Sequence, residues 1–341
     1  MTTYAAAGVD LEAAEANVRH IAGHVRSTHG PAVLGDFGRF AGLFHLRNVR
    51  DPVLVASTDG VGSKLQVGIE LGRHEVLGRD LVNLSVNDVL TTGARPLFFL
   101  DYVAVHQLEH RVVEALVSGM AAACRDNGCA LLGGETAQLP DLYRPGHYDL
   151  AGVVVGVVER AEIVDGADVV TGDRLWGLQA TGLHTNGYSL ARHVVGSSGV
   201  DLGSDPDGTL GTTLGESLLA PHPSYLAPLQ PLIDRGRVKA IAHITGGGLP
   251  GNIPRVLPPG LGAELDWGSW PVPPIFPLLQ RLGGIHFAEM VRVFNLGLGM
   301  VFVAAADEPV AELCPTSLPI GRITRSSGDR RVTLRGAPVS A

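Results

Sequence analysis

A short apolar run that empties directly into glycines beside an acid or a hydroxyl recurs along this chain. Pro52-Val53-Leu54-Val55-Ala56 runs into Ser57-Thr58-Asp59-Gly60-Val61-Gly62-Ser63-Lys64, and Ala130-Leu131-Leu132 runs into Gly133-Gly134-Glu135-Thr136. The second half repeats the pattern with Gly182-Leu183-His184-Thr185-Asn186-Gly187 and Ile244-Thr245-Gly246-Gly247-Gly248, each ahead of a helix. A strand that ends in glycine lets the main chain come close to a ligand, because no Cβ stands between them. The chain carries 45 glycines, and their clustering at these junctions points to ligand sites made largely of backbone.

Between the junctions, strands and helices mix without a strict strand–helix alternation. Residues 10–27 are expected to form a surface helix with Leu11, Ala14, Val18, Ile21 and Val25 on one face. Residues 74–92 form a second helix, stopped by Gly93 with Pro96 beyond it. Strands are expected at 97–105, 149–158, 175–180 and 300–305, and a helix at 110–126 closed by Asn127-Gly128. The strand 149–158 is nearly all apolar, which predicts cover on both faces. Residues 199–216 read as a loop. A chain of 341 residues with 45% hydrophobic content supports two cores at roughly 150 residues each. The polar stretch 159–173 separates domain 1–165 from domain 166–341. The expected class is α+β, each domain a mixed sheet covered by helices.

Charge and cysteine content narrow the function. The net charge is −8, with no basic run, which argues against nucleic-acid partners. Three cysteines, Cys124, Cys129 and Cys314, show no Cys-x-x-Cys spacing, so a zinc site is not expected and a reducing cytoplasm is. No apolar stretch reaches the ~18 residues of a membrane span, and Met1 to Asp10 lacks a signal-peptide pattern.

Several segments carry the expected chemistry. Asp59 closes a strand; Gly60 and Gly62 allow phosphate approach and Lys64 adds a point charge, unless the segment is only a tight turn with a surface lysine. The spacing is not that of a P-loop. In the helix 74–92, Asp80, Asn83 and Asn87 share an arc of roughly 60°, with Asp88 beside it; short acids and amides there suggest a cavity wall. Asp101 sits inside an apolar strand, where a carboxylate must be hydrogen-bonded, metal-bound or protonated. Asp59, Asp88 and Glu135 form an oxygen-only set that suits Mg²⁺ and a nucleotide, with Gly134 and Thr136 beside it. The two later turns, His184-Thr185-Asn186-Gly187-Tyr188-Ser189 and Thr245-Gly246-Gly247-Gly248, offer N–H groups and hydroxyls to an anion. His184 is the best-placed proton carrier of the 13 histidines, with helix capping as its plain alternative.

Taken in order, these segments resemble a known family. They are Ser57–Lys64, Val86-Asn87-Asp88, Phe98–Tyr102, Gly133–Thr136, His184–Leu190, Thr245–Gly248 and Asn252-Ile253-Pro254-Arg255-Val256-Leu257-Pro258. Together they closely resemble the phosphoribosylformylglycinamidine cyclo-ligases, or AIR synthetases, from Tyr4-Ala7-Gly8-Val9-Asp10 to Phe294–Met300. Selenophosphate synthetase and thiamine-monophosphate kinase share the acidic and glycine elements; the histidine–asparagine–glycine segment and the Asn252–Arg255 stretch point to the cyclo-ligase branch. The resemblance implies a cytoplasmic homodimer with N-terminal sheets packed together and an active site in a cleft between domains. It implies an ATP- and Mg²⁺-dependent ring closure of formylglycinamidine ribonucleotide. On this basis Asp59, Gly60, Gly62, Lys64, Asp88, Gly134, Glu135 and Thr136 are expected to bind ATP, with Asp59, Asp88 and Glu135 on the metal. His184, Thr185, Asn186, Gly187, Ser189, Thr245, Gly246 and Gly247 are expected to hold the substrate, and His184 or Asp101 to move the proton. Family members carry lysines after the first helix. Here the stretch reads His24-Val25-Arg26-Ser27-Thr28-His29, with Arg26 as the available cation.

Overall fold

A computed structural model describes residues 11–326, 328 and 331–338, so the family-like stretch from Tyr4 to Asp10 lies outside the described residues. The chain divides into two compact units, one reaching Val89 and resuming over Ala94–Arg160, the other formed by Leu90–Gly93 and the residues from Ala161 onward.

The first unit contains α1 (Leu11–Arg26), a ribbon of β1 (Val33–Leu34) and β2 (Leu43–Phe44), β3 (Pro52–Gly60), α2 (Lys64–Glu70), α3 (Glu75–Leu90), β4 (Arg95–Val105), α4 (His110–Asp126), β5 (Ala130–Gln138) and β6 (Tyr148–Glu159). Its sheet has the order β3-β6-β4-β5. The pairs β3–β6 and β6–β4 are antiparallel and β4–β5 is parallel, so the sheet is mixed. A parallel pair needs a long crossover, which α4 provides. The helix ends where Asn127 N–H donates to the Ala123 carbonyl and Gly128 N–H to the Arg125 carbonyl, with Gly128 at a φ of +65°.

α3 and α4 meet at main-chain distance. A Cβ on Gly78 would overlap the Leu116 carbonyl, and one on Gly119 would overlap the Glu75 carbonyl. No side chain other than hydrogen fits at this crossing. α1 buries Asn17, Ile21, Ala22 and Val25, whereas Leu11 and Val18 are 62% and 44% exposed. The apolar stripe expected through Leu11 and Val18 is therefore rotated, and the polar Asn17 takes a core position.

Burial in β6 alternates along its length. Leu54 is 62% exposed, Tyr102 41% and Val153 37%, and the strand register puts all three on one face. Cover on both faces, expected from the apolar composition of 149–158, is thus not what this unit provides. Its helices occupy one side. On the other, Phe44 of the ribbon packs against Phe98 at 5.5 Å between ring centroids.

The second unit contains β7 (Arg174–Gln179), α5 (Tyr188–Ser198), α6 (Leu214–Leu218), α7 (Leu226–Ile233), β8 (Ala240–His243), α8 (Gly248–Asn252), β9 (Leu261–Asp266), α9 (Ile275–Gly283), α10 (Phe287–Val293), β10 (Leu298–Ala304), α11 (Val310–Leu313), β11 (Leu318–Arg325) and β12 (Val332–Arg335). Its sheet runs β12-β9-β11-β7-β10-β8, and only β12–β9 is parallel. Every residue of β8 and β10 is buried. Val301 and Val303 join a core with Leu249 and Ile253, while Met300 and Phe302 join another with Leu229 and Leu232. Alternate residues of one strand thus feed two apolar layers. The stretch read as a loop is one up to Thr213, and its end enters α6, started by a capping box in which the Thr213 hydroxyl accepts from Glu216 N–H.

Candidate active site

In the first unit, strand register lines up a row of acids and glycines. Asp59 pairs with Gly152, Gly152 with Asp101, and Asp101 with Gly134. At about 4.8 Å per strand, Asp59 and Asp101 stand about 10 Å apart on the same face. Glycine at 134 is a steric requirement, because a Cβ there would overlap the Asp101 carboxylate. Burial is the main force on that carboxylate, and the nearby charge of Glu135 adds to it against an opposing backbone hydrogen bond; the group is pushed up to about 7. Burial thus favours the protonated form of Asp101, one of the three alternatives open in the sequence.

Asp101 lines a cavity of about 330 Å³ with Asn17 of α1 and Gly133, Gly134, Glu135 and Thr136 of β5. The Asn17 Oδ1 is buried without a hydrogen-bond partner, and Ile21, Val25 and Phe37 supply apolar wall. Gly134, Glu135 and Thr136 belong to a continuous strand that runs on to Gln138, past the strand end expected at these glycines.

Asp59 and Asp88 share the opposite corner. The Ser57 hydroxyl donates to Asp88 Oδ2 at 2.9 Å, tying α3 to β3. Asp59 is two residues past Ser57 on the same face, about 7 Å along the strand, and its Oδ1 accepts from Gly60 N–H at 2.7 Å. Glu135 does not join them. It lies on β5, three strand steps from β3, or about 14 Å, and pairs with Tyr102, whose side chain alternates with that of Asp101. Among the described residues no three acid, histidine or cysteine side chains group to hold a metal ion. The expected trio of Asp59, Asp88 and Glu135 around one ion is thus corrected to a two-acid corner and a separate glutamate.

Lys64 also departs from expectation. Its ammonium lies 2.6 Å from Asp80, and both side chains are fully buried. A lysine enclosed in this way balances a buried aspartate and does not face a phosphate. The polar stripe of α3 is spent similarly: Asn127 Nδ2 donates to Asn83 Oδ1 at 2.9 Å. Asn83 thus couples α3 to the end of α4, and Asp88 reaches β3 through Ser57. Gly60 ends β3 and Gly62 takes a φ of +67° to start α2. Arg26 forms a two-pronged pair with Asp36, at 2.8 and 3.2 Å, which holds the glycine-rich segment against the end of α1. That bond is the main reason the Asp36 carboxyl is held below its ordinary value.

In the second unit the two turns come together. Asn186 Oδ1 lies 3.3 Å from where a Cβ of Gly246 would stand. Asn252 clasps the second turn, donating to the carbonyls of Thr245, Gly246 and Gly248 at 3.2, 3.2 and 2.9 Å. Its Oδ1 accepts from Thr245 Oγ1 at 3.2 Å and from Arg255 Nη1 at 3.3 Å. Arg255 is exposed, so a cation stands beside both turns. Gly187, at φ +81°, starts α5, and Ser189 sits exposed in its first turn. The helix after Gly247 spans only five residues, so its dipole is small and the turn's own groups carry the electrostatics.

Behind the turns lies a set of buried rings. His184, in the left-handed region at φ +64°, stacks on His222 with centroids 4.2 Å apart. His222 and His243 face each other with Nε2 atoms 3.2 Å apart. Gly299 leaves room for His184 and Tyr225, which a Cβ would strike. Sequence reasoning missed His222, His243 and the roles of Asn252 and Arg255. His243 ends a buried strand two residues before Thr245, a usable signal; His222, between two prolines, offers none.

This arrangement matches known proteins. Residues 38–158 match the AIR synthase related protein N-terminal domain, and 170–333 the corresponding C-terminal domain. In solved structures, the thiamine-monophosphate kinase of Stenotrophomonas maltophilia aligns with a TM-score of 0.69 at 20% identity, covering 93% of this chain and 96% of that one. A hydrogenase maturation protein HypE in complex with ATP aligns with a TM-score of 0.64 at 16% identity, covering 91% and 88%. These likenesses establish the fold. Sequence relatives are closer: the phosphoribosylformylglycinamidine cyclo-ligase of Myxococcus xanthus is 48% identical over 96% of this chain and 97% of its own. That of Paraburkholderia phymatum is 50% identical over 91% and 87%. The chain belongs to the phosphoribosylformylglycinamidine cyclo-ligase family.

Proposed function

We propose that this chain converts formylglycinamidine ribonucleotide and ATP into aminoimidazole ribonucleotide, ADP and phosphate. The carrying observation is the meeting of the His184–Ser189 and Thr245–Gly247 turns under the Asn252 clasp. The first of these turns and the Asn252–Arg255 stretch that clasps the second are the segments that point to cyclo-ligases within a fold shared with kinases. Thr185, Asn186, Gly187, Ser189 and the Thr245–Gly247 main chain hold the ribose phosphate, and Arg255 supplies the positive charge.

ATP belongs to the first unit, with Asp59, Gly60, Gly62 and Asp88 at one corner and Gly134, Glu135 and Thr136 along the cavity. Mg²⁺ characteristically takes one or two carboxylates with phosphate oxygens and water, which fits the Asp59–Asp88 corner; there it would offset phosphate charge. The formyl oxygen attacks the γ-phosphorus of ATP, expelling ADP. The ring nitrogen then attacks the activated formyl carbon, and the C–O bond to phosphate breaks as the ring closes. Asp101, poised near neutrality, or His184 accepts the proton lost from that nitrogen.

The open face of the first sheet supports a homodimer. Leu54, Tyr102 and Val153 on one flat face are the kind of surface that a second copy covers. Among the described residues no helix is long and apolar enough to cross a membrane, and a cytoplasmic enzyme of purine synthesis fits that. A coupled assay decides between reactions. Free phosphate released with imidazole product supports the cyclo-ligase; a phosphorylated product means a kinase; ATP binding without turnover means a binding protein.

A further inference from the structure

The His222–His243 pair is absorbed by none of the roles above. Two imidazole Nε2 atoms 3.2 Å apart share one hydrogen, so one ring donates and the other accepts. The other nitrogen of His222, Nδ1, lies 3.4 Å from Thr185 Oγ1, and Thr185 is half-buried where the rings are buried. The two ends of His222 are therefore linked. If His243 donates to His222, then His222 Nδ1 carries a hydrogen and donates to Thr185. The Thr185 hydroxyl is then free to point its own hydrogen outward. If His222 donates to His243, its Nδ1 carries no hydrogen and accepts from Thr185, and the hydroxyl, which also accepts from Asn186 Nδ2 at 3.4 Å, has no hydrogen left to offer outward. An added proton makes His222 a donor at both ends, fixing the first arrangement and adding positive charge.

We propose that His222 and His243 are a proton-sharing pair that turns the Thr185 hydroxyl toward a bound phosphate, so that the ribonucleotide enters together with one proton. Groups facing the pair include His184, stacked on His222 at 4.2 Å, Thr185 from the same turn, and Tyr225, whose ring is 6.2 Å from that of His184. Repulsion between stacked imidazolium rings limits the cluster to one proton. His184 and His222 stack, whereas His222 and His243 meet tilted by 57°, and among the described residues no three acid, histidine or cysteine side chains group to hold a metal ion. His222 is a positioning residue, acting through Thr185. The inference rests on the phosphate reading of the two turns.

The sign follows from linkage. A phosphate that favours the protonated pair binds more tightly at low pH and less tightly as pH rises. Calorimetry with formylglycinamidine ribonucleotide, in buffers of different ionisation enthalpy between about pH 6 and 8, counts the protons taken up. H222Q keeps a donor and an acceptor but cannot titrate. We expect wild type to take up up to one proton more per ribonucleotide than H222Q, a difference that cancels the phosphate's own ionisation. We also expect the ribonucleotide KM of wild type to rise with pH and that of H222Q to lose this rise. Equal proton uptake in the two proteins overturns the proposal. Should H222Q not fold, ¹⁵N shifts of wild-type His222 and His243 replace it. A doubly protonated ring appearing on binding supports the pair, and unchanged tautomers overturn it. If R255A and T185A leave the ribonucleotide KM unchanged, the phosphate site itself is wrong, whatever the proton count.

Discussion

The sheet of the first unit is covered on one face and that of the second on both, and their polar groups divide along the same line. In the first unit the acids are spread across strands, Asp59 and Asp88 at one edge and Glu135 at the other, with Asp101 between them. In the second, segments up to about sixty residues apart converge on two turns, with buried rings behind and a cation in front. The second site is largely assembled within its own unit. The first presents two half-sites and an open apolar face. Similar glycine-and-acid motifs thus produce different degrees of completion, depending on whether register or loop packing places them.

The largest effect that tests this contrast is on Lys64. Removing one partner of a buried ion pair strands the other charge, which costs about 3–5 kcal/mol. Lys64→Met is therefore expected to lower the denaturation midpoint sharply. A variant of wild-type stability with a raised KM for ATP would return Lys64 to the phosphates.

Next comes Asp101. Its folded-state value is raised from 3.8 to about 7, so the folded chain holds a proton that the unfolded chain has lost. The stability tied to it is complete below about pH 4 and drains as pH rises toward 7, at up to about 1.4 kcal/mol per pH unit. Asp101→Asn is expected to flatten that slope in denaturant titrations and to remove any limb near pH 7 from the kcat profile. An unchanged slope would mean that Asp101 is already ionised in the folded chain.

A smaller effect sharpens the second site. Losing a charge-assisted contact of about 1.5 kcal/mol or more by Arg255→Ala should raise the ribonucleotide KM roughly tenfold and leave the KM for ATP unchanged. A matching rise for ATP would blur the division between units. The smallest effect on stability, within about 0.5 kcal/mol, belongs to Leu54→Glu on the open face. Its signature is in sedimentation, where a dimer should become a monomer; an unaltered mass would place self-association elsewhere.

Most elements were legible because their patterns are local. Gly93 and Gly128 announce helix ends, and β4 stands out as an apolar run broken by Asp101. What was not legible depended on partners far along the chain. Lys64 read as a phosphate ligand because Asp80, sixteen positions on, gives no sign that it is a buried counter-charge. Gly133-Gly134 read as the end of a strand because the cause of Gly134, room for the Asp101 carboxylate, comes from a neighbouring strand. Glu135 joined the wrong group because three acids after apolar runs look alike until strand order separates them. The second site was more readable, since its turns are contiguous, but His222 entered it only through folding.

The crossing of α3 and α4 has a consequence for Asp88. Gly78 and Asp88 are ten residues apart on one helix, about 15 Å at 1.5 Å per residue. α3 is thus a strut seated on bare main chain near its start and moored to Ser57 near its end. Side chains around it can drift while its aim holds, but a single methyl group at Gly78 or Gly119 would act as a wedge under a lever. The carboxylate would swing off target at the far tip, with no atom near it having changed.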